Sequence, residues 1–234
     1  MGVRGREGIE LARTLGHPFR LAHALLFEAV VLYLVGRGEA LLRSLDDVMT
    51  LSHQHGFPFW LGLARVFRGA TLIDSDPQAA VAEIGDGLSQ AAATGNQAGA
   101  PPMIAMLALA HRAAGQHAEA MRALELALAV SAQTGQPHWD AELHRERGEL
   151  LLACRADGTA EAARGLFERA LAIARAQRAR SQELRAATSL ARLLYAHGAR
   201  DAARRTLVPI ADWFSEGRDS PDVRAAVELL AALG

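Results

Sequence analysis

Lysine is missing altogether from this 234-residue chain: all 25 of its Lys/Arg positions are arginine. A phosphate-binding P-loop sets a Lys beside its Ser or Thr, and Schiff-base chemistry needs a Lys amine. Both are excluded within this chain. A GC-rich coding sequence is the simplest source of the all-arginine usage. Cysteine is nearly absent too. The single thiol, Cys154, can form neither an internal disulfide nor a cysteine zinc cluster, and it reads as a small apolar helix residue in a reducing cytoplasm. β-branched residues are sparse beside Ala and Leu, which favours helix over sheet. Apolar runs such as Ala29 to Val35 are far too short to span a membrane. The N-terminal MGVRGREG has no apolar signal core behind its arginines. The net charge of −1 gives no bulk attraction to nucleic acid or to a membrane surface.

What is present is a repeat. TLGHPF at Thr14, QHGFPFW at Gln54, ATGNQAG at Ala93, QTGQPHW at Gln133 and, more weakly, AQRARSQ at Ala176 align on Gly16, Gly56, Gly95, Gly135 and Arg178, with spacings of 40, 39, 40 and 43. A period near 40 that survives five times is the signature of a repeat architecture. Each unit has one plan. An apolar-periodic helix follows the Gly, a short break comes next (VGRGE, DSDP, AAGQH, RADGT, AHGAR), and a second helix runs to the next Gly. Gly suits a left-handed helix C-cap, and Pro18, Pro58 and Pro137 just beyond it can open the following helix. The unit is a helical hairpin. Its second helix carries a small-x3-large-x2-small pattern: Ala120, Leu124, Ala127, then Ala163, Phe167, Ala170, then Ala203, Leu207, Ile210. Spacings of four and three share a helix face, where small residues permit close approach and the large one fills the gap.

These hairpins resemble tetratricopeptide repeats. Gly148 matches the small residue of that family's first helix, and Ala163, Phe167 and Ala170 match its second-helix positions. Three extra residues around Arg155–Gly158 and the longer period depart from the family's usual repeat of about 34. A second resemblance covers almost the whole chain. LGHPF, HGFPFW, WDAELHRERGELLLA, ELRAATSLARLL and WFSEGRDSPDV together look like the C-terminal helical-repeat region of bacterial multidomain signalling proteins, in which a cyclase or regulator module and a predicted STAND-type ATPase precede the repeats. None of the cyclase or ATPase motifs is present, so those activities do not carry over. The expected fold is an all-α, right-handed superhelical solenoid of antiparallel hairpins. Its expected divisions are a remnant helix of an upstream repeat (1–15), repeats at 16–55, 56–94, 95–134, 135–177 and 178–218, and a capping helix at 219–234. In that helix Ser220 is placed to N-cap, Pro221 to open, and Asp222 to meet the positive helix end.

The densest polar cluster is TGQPHWDAELHRERGELL, from Thr134 to Leu151. It invites a metal or catalytic interpretation, and neither is well supported. None of the nine His forms the i, i+4 pair of a helical zinc site, and His138–Glu142 is a single such pair. There is no Gly-x-Ser-x-Gly elbow, and Cys154 lies in the apolar LLLACRA, where a packing role is favoured. Asp76, ahead of Pro77, reads as an N-cap. Trp60, Trp139 and Trp213 read as packing residues between hairpins. In the resembled class the first helices line the concave surface. By alignment this places Glu142, Arg145, Glu149, Arg185, Arg192 and Tyr195 towards the groove. Two interpretations fit them equally: contacts to a partner, or salt bridges between adjacent hairpins. Charge is polarised. Arg164 to Arg205 holds ten Arg against three acids, whereas Gly69 to His111 holds four acids and no Arg. A solvated face of paired charges such as Arg164–Glu168 is favoured over a nucleic-acid surface, because aromatics for base stacking are scarce there.

The functional expectation is a non-catalytic, cytoplasmic protein-interaction and regulatory scaffold with no cofactor. It would bind a peptide, helix or partner domain on its concave face, with cyclase or ATPase domains of the same parent chain among the candidate partners. The alternatives are a small-molecule effector sensor, which needs a pocket with convergent polar groups, and an Arg-rich face for an acidic partner or nucleic acid. Self-association is a further expectation, through an apolar face left open at a truncated first hairpin.

Overall fold

The computed structural model describes residues 3–154 and 158–234, with side chains for all of these except residues 3, 4 and 6. Twelve α-helices follow one another: α1 (Val3–Thr14), α2 (Pro18–Leu34), α3 (Gly38–His55), α4 (Pro58–Ala70), α5 (Pro77–Ala92), α6 (Ala100–Ala113), α7 (His117–Thr134), α8 (Asp140–Cys154), α9 (Thr159–Ala176), α10 (Arg180–Ala196), α11 (Arg200–Ala211) and α12 (Pro221–Leu233). No strand occurs among the described residues, and none of their helices is long and apolar enough to cross a membrane. The break at Arg155–Gly158 lies, apart from Gly158, outside the described residues.

The recurring Gly stops the helices by one device. Gly16, Gly56, Gly95 and Gly135 have φ of 58°, 67°, 75° and 66°, in the left-handed region. At four of the five aligned stops the next N–H reaches back five residues: His17 to the Ala12 carbonyl (3.4 Å), Phe57 to Ser52 (2.9 Å), Gln136 to Ser131 (3.0 Å) and Ala179 to Ala174 (2.9 Å). This is the Schellman closure. The last of these is made without a glycine. Arg178 keeps φ at 55° and is the one non-Gly residue with positive φ among those described, at a cost of about 1 kcal/mol. Pro18 and Pro58 open α2 and α4. Pro137 instead opens a 3-10 turn, Pro137–Trp139, and α8 starts at Asp140. Asp76 caps α5, accepting from the Ala79 N–H at 3.1 Å. Ser220 occupies the N-cap position of α12 in extended conformation, but its hydroxyl makes no capping bond.

The chain forms two compact units, Met1–Ala123 and Leu124–Gly234. In the first, each helix from α1 to α6 packs on the next, and α2, α4 and α6 also lie side by side. Its core joins Leu25, Leu26, Leu45, Val48, Trp60 and Phe67, with a second cluster around Val66, Ala80, Ile84 and Ala110. The backbones of α4 and α5 touch where two glycines meet: a Cβ on Gly87 would stand 2.6 Å from the Gly62 carbonyl oxygen. Arg65 and Arg68 of α4 hold Glu83 of α5, each at 3.1 Å, and Arg65 also holds Asp86 at 2.8 Å.

In the second unit α8 packs on α9, α9 on α10 and α10 on α11, while α8, α10 and α12 are lateral neighbours. The small-large-small triplets Ala163, Phe167, Ala170 and Ala203, Leu207, Ile210 are buried. Gly148 on α8 admits the Phe167 ring, whose Cε1 would lie 2.5 Å from any Cβ there. Full burial of that ring contributes about 2–3 kcal/mol. Two expected packing residues are not packed. Cys154 is exposed, because it is the last residue of α8 and beyond the helix's buried stretch. Trp213, just past α11, is 56 % exposed. Its ring meets the edge of Phe214 and carries the Arg180 guanidinium over its face at 5.4 Å. Trp60, by contrast, is buried against Phe19 and His23 of α2.

Candidate functional site

On α8 the spacing of Glu142, Arg145, Glu146 and Glu149 puts three carboxylates and one guanidinium along one stripe, and on α10 Arg185, Thr188, Ser189 and Arg192 repeat that spacing. Because α8 and α10 are lateral neighbours, the stripes face each other. Glu142 and Arg185 are 43 residues apart, and Arg185 Nη1 donates to Glu142 Oε1 at 3.0 Å. Arg145 holds Glu142 side-on through one edge of its guanidinium, Nε at 3.1 Å and Nη2 at 2.8 Å. It also contacts Glu146 and reaches Glu149 at 3.4 Å. Ser189 donates to Glu149 and receives a bond from Arg145 Nη1 at 3.4 Å. From α12, Asp222 sets its carboxylate 3.2 Å from Arg185 Nε. That N–H is buried and aimed away from hydrogen-bonding geometry.

These residues enclose a cavity of about 140 Å³ lined by Arg145, Arg185, Thr188, Ser189, Arg192, Asp222 and Ala225. Glu142 and Arg145 are nearly enclosed, with side chains 8 % and 14 % exposed. Desolvated charges persist only when paired and hydrogen-bonded, and here each carboxylate has a guanidinium or hydroxyl partner. Arg192 differs. It is exposed and has no ion-pair partner among the described residues. The cavity therefore offers the Arg192 guanidinium as a donor to an incoming acceptor, be it a carboxylate, an amide or a carbonyl. A volume of this order accepts one side-chain head group. It falls below the roughly 300–1,000 Å³ that small-molecule sites require.

Of the six groove residues expected from sequence, Glu142, Arg145, Glu149, Arg185 and Arg192 thus share one cluster. Tyr195, 43 % exposed at the end of α10, lies outside the cavity lining. Within the cluster Arg185 pairs across helices with Glu142 and Asp222, while the Arg145 pairs lie within α8. Thr188, Ser189 and Asp222 join the site unannounced. The first two are legible as the i+3 and i+4 positions from Arg185, but Asp222 reads from sequence only as a partner of the helix dipole. His138 lies in the 3-10 turn, where its carbonyl accepts from Gln182 Nε2 at 3.0 Å, and Glu142 is held by two arginines. Among the described residues no group of three His, Cys, Asp or Glu converges as a metal site. On another face of α8, His144 is buried between helices. Burial, with help from Arg169 and Arg147, pushes its imidazole down to about 4, so it stays neutral. In the Arg-rich segment the pairing extends to Arg164–Glu168 at 2.9 Å and to Glu183, which is held by Arg175 and Arg180.

The arrangement of paired first and second helices has solved counterparts. The nearly identical TPR-like repeats of a Podosopora anserina putative kinesin light chain superpose in two crystal structures. One, of a single-substitution variant, gives a TM-score of 0.58 at 21 % identity, over 83 % of this chain and 94 % of that one. The other gives 0.54 at 21 % identity, over 92 % and 97 %. The fold is a TPR-like helical repeat. At this identity the likeness concerns the fold alone. No family model matches the chain, and no curated protein sequence matches it.

Proposed function

We propose that the chain is a non-catalytic scaffold of a larger, cytoplasmic bacterial signalling protein, and that it recognises a peptide, helix or partner domain on the face shared by α8, α10 and α12. The observation that carries this is the cavity whose one lining carboxylate, Asp222, is paired with Arg185, while Arg192 has no such partner. Such a site anchors one acceptor-bearing side chain of a partner, and the flanking helix faces supply the rest of the contact. Domains of the parent chain, such as the cyclase or ATPase that accompany the resembled repeats, are the natural candidates. This cavity is smaller than the pockets that hold a nucleotide or a sugar.

A random-peptide display selection on the wild-type chain, repeated on Arg192→Ala, tests this. The expected result is a family of peptides sharing an Asp, Glu, Asn or Gln at one position, with at least tenfold weaker binding to the variant. Peptides indifferent to the variant would remove the site from recognition. A saturable thermal shift with nucleotides or sugars would favour the effector reading instead.

A further inference from the structure

The first unit carries a different kind of surface. Along α2 the residues Phe19, His23, Phe27, Val31, Leu34 and Val35 fall on one arc of the helix, and all are exposed. Phe19 is 47 %, Phe27 57 %, Val31 44 %, Leu34 60 % and Val35 58 % exposed. The stripe is not loose. His23 meets Phe27 at 4.6 Å with the rings tilted by 45°, and Phe19 and His23 each meet the Trp60 ring, at 5.4 and 5.3 Å. It is a preorganised apolar ridge on a helix whose opposite face, Ala22, Leu25, Leu26, Ala29 and Leu32, is already buried.

We infer that this ridge is a homodimer interface in which α2 pairs antiparallel with α2 of a second copy about a two-fold axis at Phe27. Three observations select that occupant. First, area: the five apolar side chains expose roughly 500 Å², so two copies bury about 1,000 Å² from the ridge alone, the size a specific interface must reach. Second, register: with Phe27 on the axis, Phe19 meets Val35 and His23 meets Val31, while Leu34 falls opposite Arg20. An isologous contact demands this self-complementarity. Third, charge: α2 contains only Arg20 and Glu28, and Glu28 is engaged by the Ser44 hydroxyl at 3.2 Å. Arg20 has no ion-pair partner among the described residues. Antiparallel pairing sets it beside Leu34 of the other copy, at the negative end of that helix, whereas parallel pairing would set the two Arg20 side by side.

Sedimentation-equilibrium analysis of the purified chain decides the matter. The expected result is a dimer at micromolar concentration, weakened at least about 100-fold by Phe27→Glu, which places two carboxylates on the axis. Leu34→Glu, away from the axis, should weaken it less. Phe27 and Leu34 are more than half exposed, so both variants should keep wild-type circular dichroism. In a Cys154→Ser background, Phe27→Cys should form a disulfide-linked dimer under mild oxidation, and Leu34→Cys alone should not. A wild-type chain that stays monomeric at concentrations roughly 200-fold higher, or a dimer indifferent to Phe27→Glu, overturns the proposal. Cross-linking through Leu34→Cys but not Phe27→Cys overturns the antiparallel register.

Discussion

Gly87 should reject a single methyl group, while Gly85, two residues away on the same helix, should welcome one. Both sit within α5, where Ala exceeds Gly by about 1 kcal/mol in intrinsic helix propensity. At Gly85 that gain is unopposed, because a Cβ there meets nothing within 4 Å. At Gly87 the same Cβ would stand 2.6 Å from the Gly62 carbonyl oxygen and 2.9 Å from the Val66 nitrogen, against an ordinary contact of at least 3.4 Å. Both obstacles are backbone, so no rotamer can move aside. α4 and α5 must part by several tenths of an ångström and loosen Val66, Ile84 and Ala91 behind them. Overpacking of this kind costs about 3 kcal/mol, which leaves Gly87→Ala destabilised by about 2 kcal/mol after the propensity gain. Thermal unfolding followed by circular dichroism should show Gly87→Ala melting about 4–8 °C below the wild type and Gly85→Ala about 2–4 °C above it. Shifts of the same sign in the two variants would refute the claim that a backbone contact sets this helix spacing.

Other perturbations probe the second unit and the caps. Arg145→Met should cost about 3–5 kcal/mol in urea unfolding, because it removes the guanidinium that Glu142, Glu146 and Glu149 all contact. Arg192→Ala, on the same face, should change stability by less than about 0.5 kcal/mol, and equal effects would deny the cluster its electrostatic organisation. His144 is held at about 4, below its ordinary value of 6.5. The unfolded chain therefore takes up the proton first as pH falls. Its stabilising effect is intact above pH 6.5 and is lost between 6.5 and 4, to a limit of about 3 kcal/mol. The stability difference between the wild type and His144→Leu should follow that window, and parallel pH profiles would rule the residue out as its source. Asp76→Ala should cost about 1 kcal/mol as a lost N-cap. Ser220→Ala should cost almost nothing, because that hydroxyl makes no capping bond. Equilibrium unfolding of the two variants makes the comparison.

The helical hairpins are legible in the sequence because their signals are local. A left-handed Gly, a Pro after it and an Ala-Phe-Ala triplet each act within a few residues, and Phe167, Ala163 and Ala170 are buried accordingly. Arg178 shows how far position outranks residue type: the Schellman closure persists there without its glycine. The charged stripe of α8 is legible too, since helical spacing fixes a face. What local pattern does not carry is depth. Nothing in TGQPHWDAELHRERGELL tells an enclosed Arg145 from an exposed Arg192, because enclosure comes from α10 and α12, which lie far downstream in the chain. Trp213 misleads for the opposite reason. A large aromatic ring suggests a core, but the chain leaves α11 before any neighbour covers it.

The alternation of Glu142 with Arg185 has a bearing on how the helices find their places. Contacts built from Ala and Leu are forgiving. A slide of one helical turn exchanges one small apolar residue for another and loses little. A carboxylate enclosed beside α10 has no such freedom, since a turn's displacement, about 5.4 Å, would strand it without its guanidinium. The polar seam between α8, α10 and α12 thus works as a vernier on an otherwise slippery stack: the apolar residues supply the adhesion, and the charges permit only one alignment.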